Sequence, residues 1–294
     1  MRLPFMIAAL TAVASPLLAQ QMGPTTGELH MDFGRLDTGP SDHWGWNAYG
    51  TLTTGSPEGD GFGWSAGLDV NTTNIGRREL EGAPYGSLSW TSGPNKVSAG
   101  VLRSAADKFD QSPLVRGIGP AIDRYGATQL AYSSVVTTGN LADGQFFYGV
   151  GYDGDFGPTS IAATVQANSK TDDLVTEVAA SFDMGRAKVF GAYQNYDGTN
   201  IAAVGVHGDF GRAHAGARLA YNSDAEDHGH LMLYGDLDVT QALSLGASVQ
   251  WQGSDEAISL SGRYNLTQQG YADMHVMRKD GGEGYAGIGL GFNF

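Results

Sequence analysis

The sequence predicts an all-β fold, a transmembrane antiparallel β-barrel of about 16 strands with one long loop folded into its lumen. Three observations predict it. Apolar residues recur at every second position in segments of ~9–11 residues, the length a tilted membrane-crossing strand needs. The intervening positions carry charged residues on many strands in succession, which no closed, dry core could satisfy. No run of about eighteen or more apolar residues occurs, so the chain offers no membrane-spanning helix.

Taken in order, the chain opens with Arg2, an apolar run from Leu3 to Ala14 and a small-residue end at Ala19. That layout is a secretory signal with cleavage after Ala19, so residues 1–19 are read as signal peptide and 20–294 as barrel. Leu29, Met31 and Phe33 then alternate with Glu28, His30 and Asp32. Trp46, Ala48, Gly50 and Leu52 alternate with Asn47, Thr51 and Thr53, and Trp64, Ala66, Leu68 and Val70 with Ser65, Asp69 and Asn71. Leu88 and Trp90 oppose Ser87, Ser89 and Thr91, and a fifth strand runs from Lys96 to Leu102.

From Ser104 to Gln145 the rhythm fails. This stretch carries Asp107, Lys108, Asp110, Arg116, Asp123 and Arg124, with prolines and glycines. A loop of such length inside a compact fold is functional or disordered, and here it is read as entering the lumen and setting the size and charge of the opening. The alternating piece from Leu130 to Val136 belongs to the loop.

Alternation resumes at Phe146 and holds to the end. Tyr148 and Val150 oppose glycines and Asp153; Val165 opposes Thr164 and Gln166; Val178 and Phe182 oppose Glu177 and Ser181. Val189 and Tyr193 oppose Lys188 and Gln194, Val204 and Val206 oppose His207, and Leu219 and Tyr221 sit opposite His214 and Arg218. Leu233 and Leu237 oppose Tyr234 and Asp236, and Leu243 to Trp251 alternates with Ser244, Ser248 and Gln250. Leu260 opposes Ser259 and Arg263, Met274 and Val276 oppose Asp273 and His275, and the last strand is Ala286, Ile288, Leu290, Phe292 and Phe294. Five strands before the loop and eleven after it make the even total a barrel with both termini on one rim requires. By parity the inner wall carries Glu28, His30, Asp32, Asp69, Asp153, Glu177, Lys188, Arg218, Asp236, Arg263 and Asp273.

The turns differ by rim. Gly154–Asp155–Phe156–Gly157, Phe182–Asp183–Met184–Gly185 and Gly208–Asp209–Phe210–Gly211 are near repeats of one short turn, whereas Asn168 to Asp173, Asn195 to Asn200 and Asn222 to His228 read as longer polar connections. Short turns on one rim and long loops on the other are expected of outer-membrane barrels. The repeated Asp155, Asp183 and Asp209 serve either as turn formers or as a ring at the mouth.

The run Gly287–Ile288–Gly289–Leu290–Gly291–Phe292–Asn293–Phe294, the long loop after strand five and the restart from Phe146 to Gly157 resemble a Gram-negative general porin of the alphaproteobacterial (Rhodobacter-like) kind, over the whole mature chain. The resemblance implies a bacterial outer-membrane barrel, exported through the periplasm, forming a water-filled channel for passive diffusion of small hydrophilic solutes and ions. It implies a homotrimer with one pore per subunit in outer-membrane lipid. It also implies that Phe294, with Phe292 two places before it, is read by the barrel-assembly machinery. In that family an acidic loop faces a basic wall. Asp107, Asp110 and Asp123 match the acidic side, but the bases do not gather: Lys188, Arg218 and Arg263 lie on three separate strands, with His30, His207, His214 and His275 as weaker candidates.

Composition narrows the reading. Cysteine is absent, so stability rests on strand closure rather than disulfides. The 44 glycines in 294 residues sit inside regular alternation rather than in tracts. A net charge of −14 argues against nucleic acid as a partner, which needs a basic face. Inward acids outnumber inward bases, even with Lys96 added, which points to mild cation selectivity through their summed field. Each acid taken singly reads as a solvated side chain. The stretch from Asp224 to His230 offers carboxylates for calcium or imidazoles for a transition metal, without the spacing of a calcium loop. An outer-membrane enzyme would need a Ser/His pair near a rim. Here four histidines face inward, His43, His228 and His230 sit in or beside loops, and no Gly-x-Ser-x-Gly occurs. A soluble secreted β-protein would not need Phe294. A solute-specific channel would need an aromatic lumenal track, for which inward Tyr49 and Tyr234 are too few.

Overall fold

The computed structural model describes residues 25–37, 42–57, 59–74, 79–110 and 146–294. The signal segment 1–19, the piece from Leu130 to Val136, and Arg116, Asp123 and Arg124 lie outside them. Sixteen antiparallel strands close into a single barrel, each bonded to its neighbours in sequence and the first to the last. Before the long loop they are β1 (Thr26–Asp37), β2 (Asp42–Gly55), β3 (Gly61–Thr73), β4 (Glu79–Ser92) and β5 (Asn95–Val101). After it come β6 (Phe147–Phe156), β7 (Thr159–Asn168), β8 (Leu174–Asp183), β9 (Ala187–Tyr196), β10 (Thr199–Asp209) and β11 (Ala213–Asn222). The circuit is completed by β12 (Gly229–Asp238), β13 (Leu243–Gln252), β14 (Asp255–Asn265), β15 (Gly270–Lys279) and β16 (Gly284–Asn293). The five-plus-eleven count and its parity are those the alternation predicts.

The seam is made by β1 against β16, in register from Glu28 opposite Asn293 to Asp37 opposite Gly284. Two further bonds extend it: the Gly27 and Phe294 amides each donate to the other's carbonyl at 3.0 Å. Lipid offers no substitute partner for an unpaired backbone group, so a spanning sheet has to close. Outward positions are apolar and uncovered, among them Leu29, Phe33, Leu88, Val150, Val204, Leu260 and Ile288. The alternate positions, including His30, Asp32, Glu177, Arg218 and His275, are buried inside.

The rim with both chain ends carries the repeated short turns. Gly157, Gly185 and Gly211 have φ of 73°, 87° and 83°, a left-handed conformation that favours glycine. Asp183 Oδ1 accepts the Gly185 amide at 2.6 Å, which is turn chemistry. The opposite rim is tighter than the sequence suggests. Asn195 to Asn200 is not a long connection, because β9 and β10 run on until only Asp197 and Gly198 remain between them, at φ 47° and 84°. Both central residues of a type I′ hairpin turn take positive φ, and the flanking polar side chains bond across the hairpin, Asn195 Nδ2 to Asn200 Oδ1 at 2.9 Å.

Beyond the inward Tyr285, the inner face of β16 is bare at three alternate positions, Gly287, Gly289 and Gly291, and rings from neighbouring positions lie against them. A Cβ at Gly291 would fall 2.0 Å from Tyr271 Cζ, one at Gly289 2.5 Å from His30 Nε2, and one at Gly287 2.6 Å from the Tyr285 hydroxyl. Glycine here permits close approach rather than a special backbone angle. Gly291→Val should therefore unseat Tyr271 and lower stability by about 1–3 kcal/mol. Urea unfolding in micelles checks this, and adding Tyr271→Ala should recover part of the loss.

Candidate functional site

The chain leaving β5 turns inward and fastens itself to the lumenal wall strand by strand. The Leu102 amide donates to Gln166 Oε1 on β7 at 3.2 Å. Arg103 reaches back to β3, where its two terminal nitrogens each meet an oxygen of Asp69 at 3.0 Å. Its guanidinium also lies 4.4 Å from the ring centroid of Tyr85 on β4. Such a bidentate fork fixes geometry as well as charge. A single 3-10 turn, Ala106–Lys108, follows and contains Asp107. Lys108 Nζ bonds Asp153 on β6. Phe109 packs on the cluster of Phe190, Ala203 and Ala220 from β9, β10 and β11. Asp110 Oδ2 accepts from Arg218 Nε on β11 at 2.7 Å.

Glu177 on β8 is the hub of this root. Its Oε1 accepts from Ser104 Oγ at 2.7 Å and Gln194 Nε2 at 2.6 Å. Its Oε2 accepts from the Ala105 amide at 3.0 Å and Thr164 Oγ1 at 2.7 Å. The donors come from β7, β9 and the loop itself, so one carboxylate ties the loop to two strands flanking its own.

Across the lumen a second network joins β1, β2, β14, β15 and β16. Asp32, fully buried, accepts from the Tyr285 hydroxyl and from Asn47 Nδ2 at 3.4 Å. His30 Nε2 lies 3.0 Å from Asp273 Oδ1, and Arg263 approaches the other oxygen of Asp273 at 3.6 Å. Arg263 also covers the Tyr271 ring at 3.8 Å, and the Tyr271 hydroxyl bonds Glu28. His275 stacks on Tyr285 with centroids 5.5 Å apart.

Several of the acids expected from parity on the wall are not individually solvated. Asp32 and Glu177 are buried, Asp110 and Asp273 are partly buried, and all four are hydrogen-bonded or ion-paired. The rings beside them, Tyr271 and Tyr285, stand at the starts of β15 and β16, ahead of the apolar alternation that marks those strands in the sequence. The bases stay apart, each with its own acid: Arg103 with Asp69, Lys108 with Asp153, Arg218 with Asp110, Arg263 with Asp273. Lys188 sits opposite Asp183 and His207, and Asp236 opposite His214. His230 corrects the loop reading, since it lies in β12, buried, with Nε2 3.2 Å from Gln250 Oε1. In the Asp224 to His230 stretch, Asp224 accepts from Thr199 Oγ1 at 2.6 Å. Phe292 and Phe294 close β16 with rings 6.5 Å apart.

A closed antiparallel barrel, apolar outside and polar within, entered by the chain from β5, has the architecture of the 16-stranded general porins. A multiply substituted mutant of Rh. blastica porin matches with a TM-score of 0.72 at 15% identity, over 93% of this chain and 100% of that one. The Rhodopseudomonas blastica porin triple mutant gives 0.69 at 16% identity with the same coverage. No family model matches the chain, and no curated protein matches it in sequence.

Replacing Glu177 with Ala strands its donors, at about 1–3 kcal/mol for each buried group left unmade. Hydrogen exchange should show the Ala105 amide exchanging at least about tenfold faster, since ~1.4 kcal/mol is a factor of ten, while amides of β13 and β14 keep their protection.

Proposed function

We propose that this chain is an outer-membrane porin, a water-filled channel for passive diffusion of small hydrophilic solutes and ions. The observation that carries the reading is the inward-turned loop root: residues 102–110 contact β3, β4 and β6 to β11 inside a closed barrel, which narrows the lumen. Asp107, Lys108 and Asp110, continued by Arg116, Asp123 and Arg124, form the constriction in this reading, and the parity-defined wall residues line the rest.

Selectivity follows from which charges are cancelled. Four base–acid pairs hold each other's charge, whereas Glu28, Asp32, Glu177 and Asp236 add to the negative side. A low-dielectric wall focuses that surplus, and mild cation selectivity results. The inward tyrosines do not make a sugar track, because Tyr271 and Tyr285 are buried and give their hydroxyls to Glu28 and Asp32. The same reading makes the protein a homotrimer in outer-membrane lipid, with Phe294 and Phe292 as its assembly signal.

In planar bilayers the protein should open in triplets of steps, and the reversal potential in a salt gradient should favour cations. A silent bilayer or an anion preference defeats the respective claim. Deleting Phe294 should sharply reduce the fraction inserted in the outer membrane, measured by membrane fractionation; unchanged insertion would remove its role as a signal.

A further inference from the structure

We propose that His207, Asp209 and His214 form a binding site for a divalent transition-metal ion, Zn2+ being the best match, on the inner wall at the rim that carries the chain ends. Asp209 and His214 are direct cross-strand partners at the β10–β11 hairpin, and His207 lies two residues earlier on the same face. One ligand atom from each falls within 4.8 Å of the others. Asp209 Oδ1 is 3.3 Å from His207 Nε2 and 2.5 Å from His214 Nδ1.

Zinc holds nitrogen and oxygen ligands at about 2.0–2.2 Å, which in a tetrahedron separates donors by roughly 3.4 Å. The His207 spacing already fits. His214 has to swing outward by less than about 1 Å to match, and its side chain, 23% exposed, has room to do so. Two imidazoles and one carboxylate leave a fourth position for water or a passing solute donor. That donor set suits zinc, nickel or copper, and not calcium, which takes six to eight oxygens.

The outer ring nitrogens are also served. His214 Nε2 faces Asp238 Oδ2 at 3.9 Å and Asp236 Oδ2 at 4.0 Å, both from β12. His207 Nδ1 lies 3.4 Å from the Tyr234 hydroxyl. Oxygen partners at the far nitrogen are the usual means by which proteins orient metal-binding imidazoles. Here the oxygens facing both rings come from β12, next to the strand of His214 and one strand beyond that of His207. The two rings stand parallel, with centroids 6.1 Å apart and planes 6° from one another, and one nitrogen of each faces the same Asp209 oxygen.

The test is isothermal titration of the full barrel in detergent with ZnCl2 at neutral pH, with CaCl2 in parallel. One zinc per chain is expected, with no calcium heat. The double variant His207→Gln/His214→Gln should lose the zinc, His228→Gln/His230→Gln should keep it, and Asp236→Asn/Asp238→Asn should weaken it by about 10–100-fold. In the unaltered protein, Co2+ should give visible d–d bands that added Zn2+ abolishes, a reading that needs no variant to fold. Absence of zinc heat and cobalt bands in the unaltered protein, or zinc retained by the His207/His214 variant, overturns the site and leaves a histidine–carboxylate hydrogen bond in its place. Neither measurement depends on conductance, so the outcome is separate from that of the channel reading.

Discussion

The β1–β16 seam is the constraint on which the rest depends. Backbone amides and carbonyls in hydrocarbon have no partner except another strand, so the sheet has to end where it began. Closure then fixes everything of period two. Because a slip of one residue would turn each strand inside out, the register running from Glu28 opposite Asn293 commits every later strand to one sorting of its side chains. The apolar outer band and the charged inner wall are two results of the same ladder.

Inside that wall, charge is managed by contact more than by water. The loop root binds through a carboxylate hub at Glu177, a bidentate fork between Arg103 and Asp69, and a part-buried pair between Asp110 and Arg218. In a medium of low effective dielectric such groups are costly if orphaned and strong when satisfied. Opposite them, Asp32 and Asp273 are held by tyrosine, histidine and arginine. The lumen is thereby shaped by side-chain networks anchored at both ends to strands.

Much of this was legible beforehand, and the reason is physical. Strand existence and facing depend only on the alternation of side-chain character, which is written locally, as at Leu231 to Val239 or Ile258 to Tyr264. The likeness to Rh. blastica porin at 15% identity makes the same point, since the fold constrains the pattern and leaves the letters free. What the alternation could not show is who touches whom across the lumen. Glu177 and Ser104 are separated by the whole loop and by β6 and β7, and nothing local announces their bond. Tyr285 lay one residue outside the recognised strand, and Asn195 to Asn200 looked like a loop because polar hairpin ends and polar loops share a vocabulary.

The ring-covered glycines of β16 set a limit on how this lumen can be altered, by drift or by an engineer. A new side chain at Gly287, Gly289 or Gly291 has no room, so those three positions are closed to direct chemical redecoration. Any change to that sector of the opening has to be made at the covering groups, Tyr271 on β15, His30 on β1 or Tyr285 on β16 itself, where trimming a ring exposes backbone and widens the passage in one step.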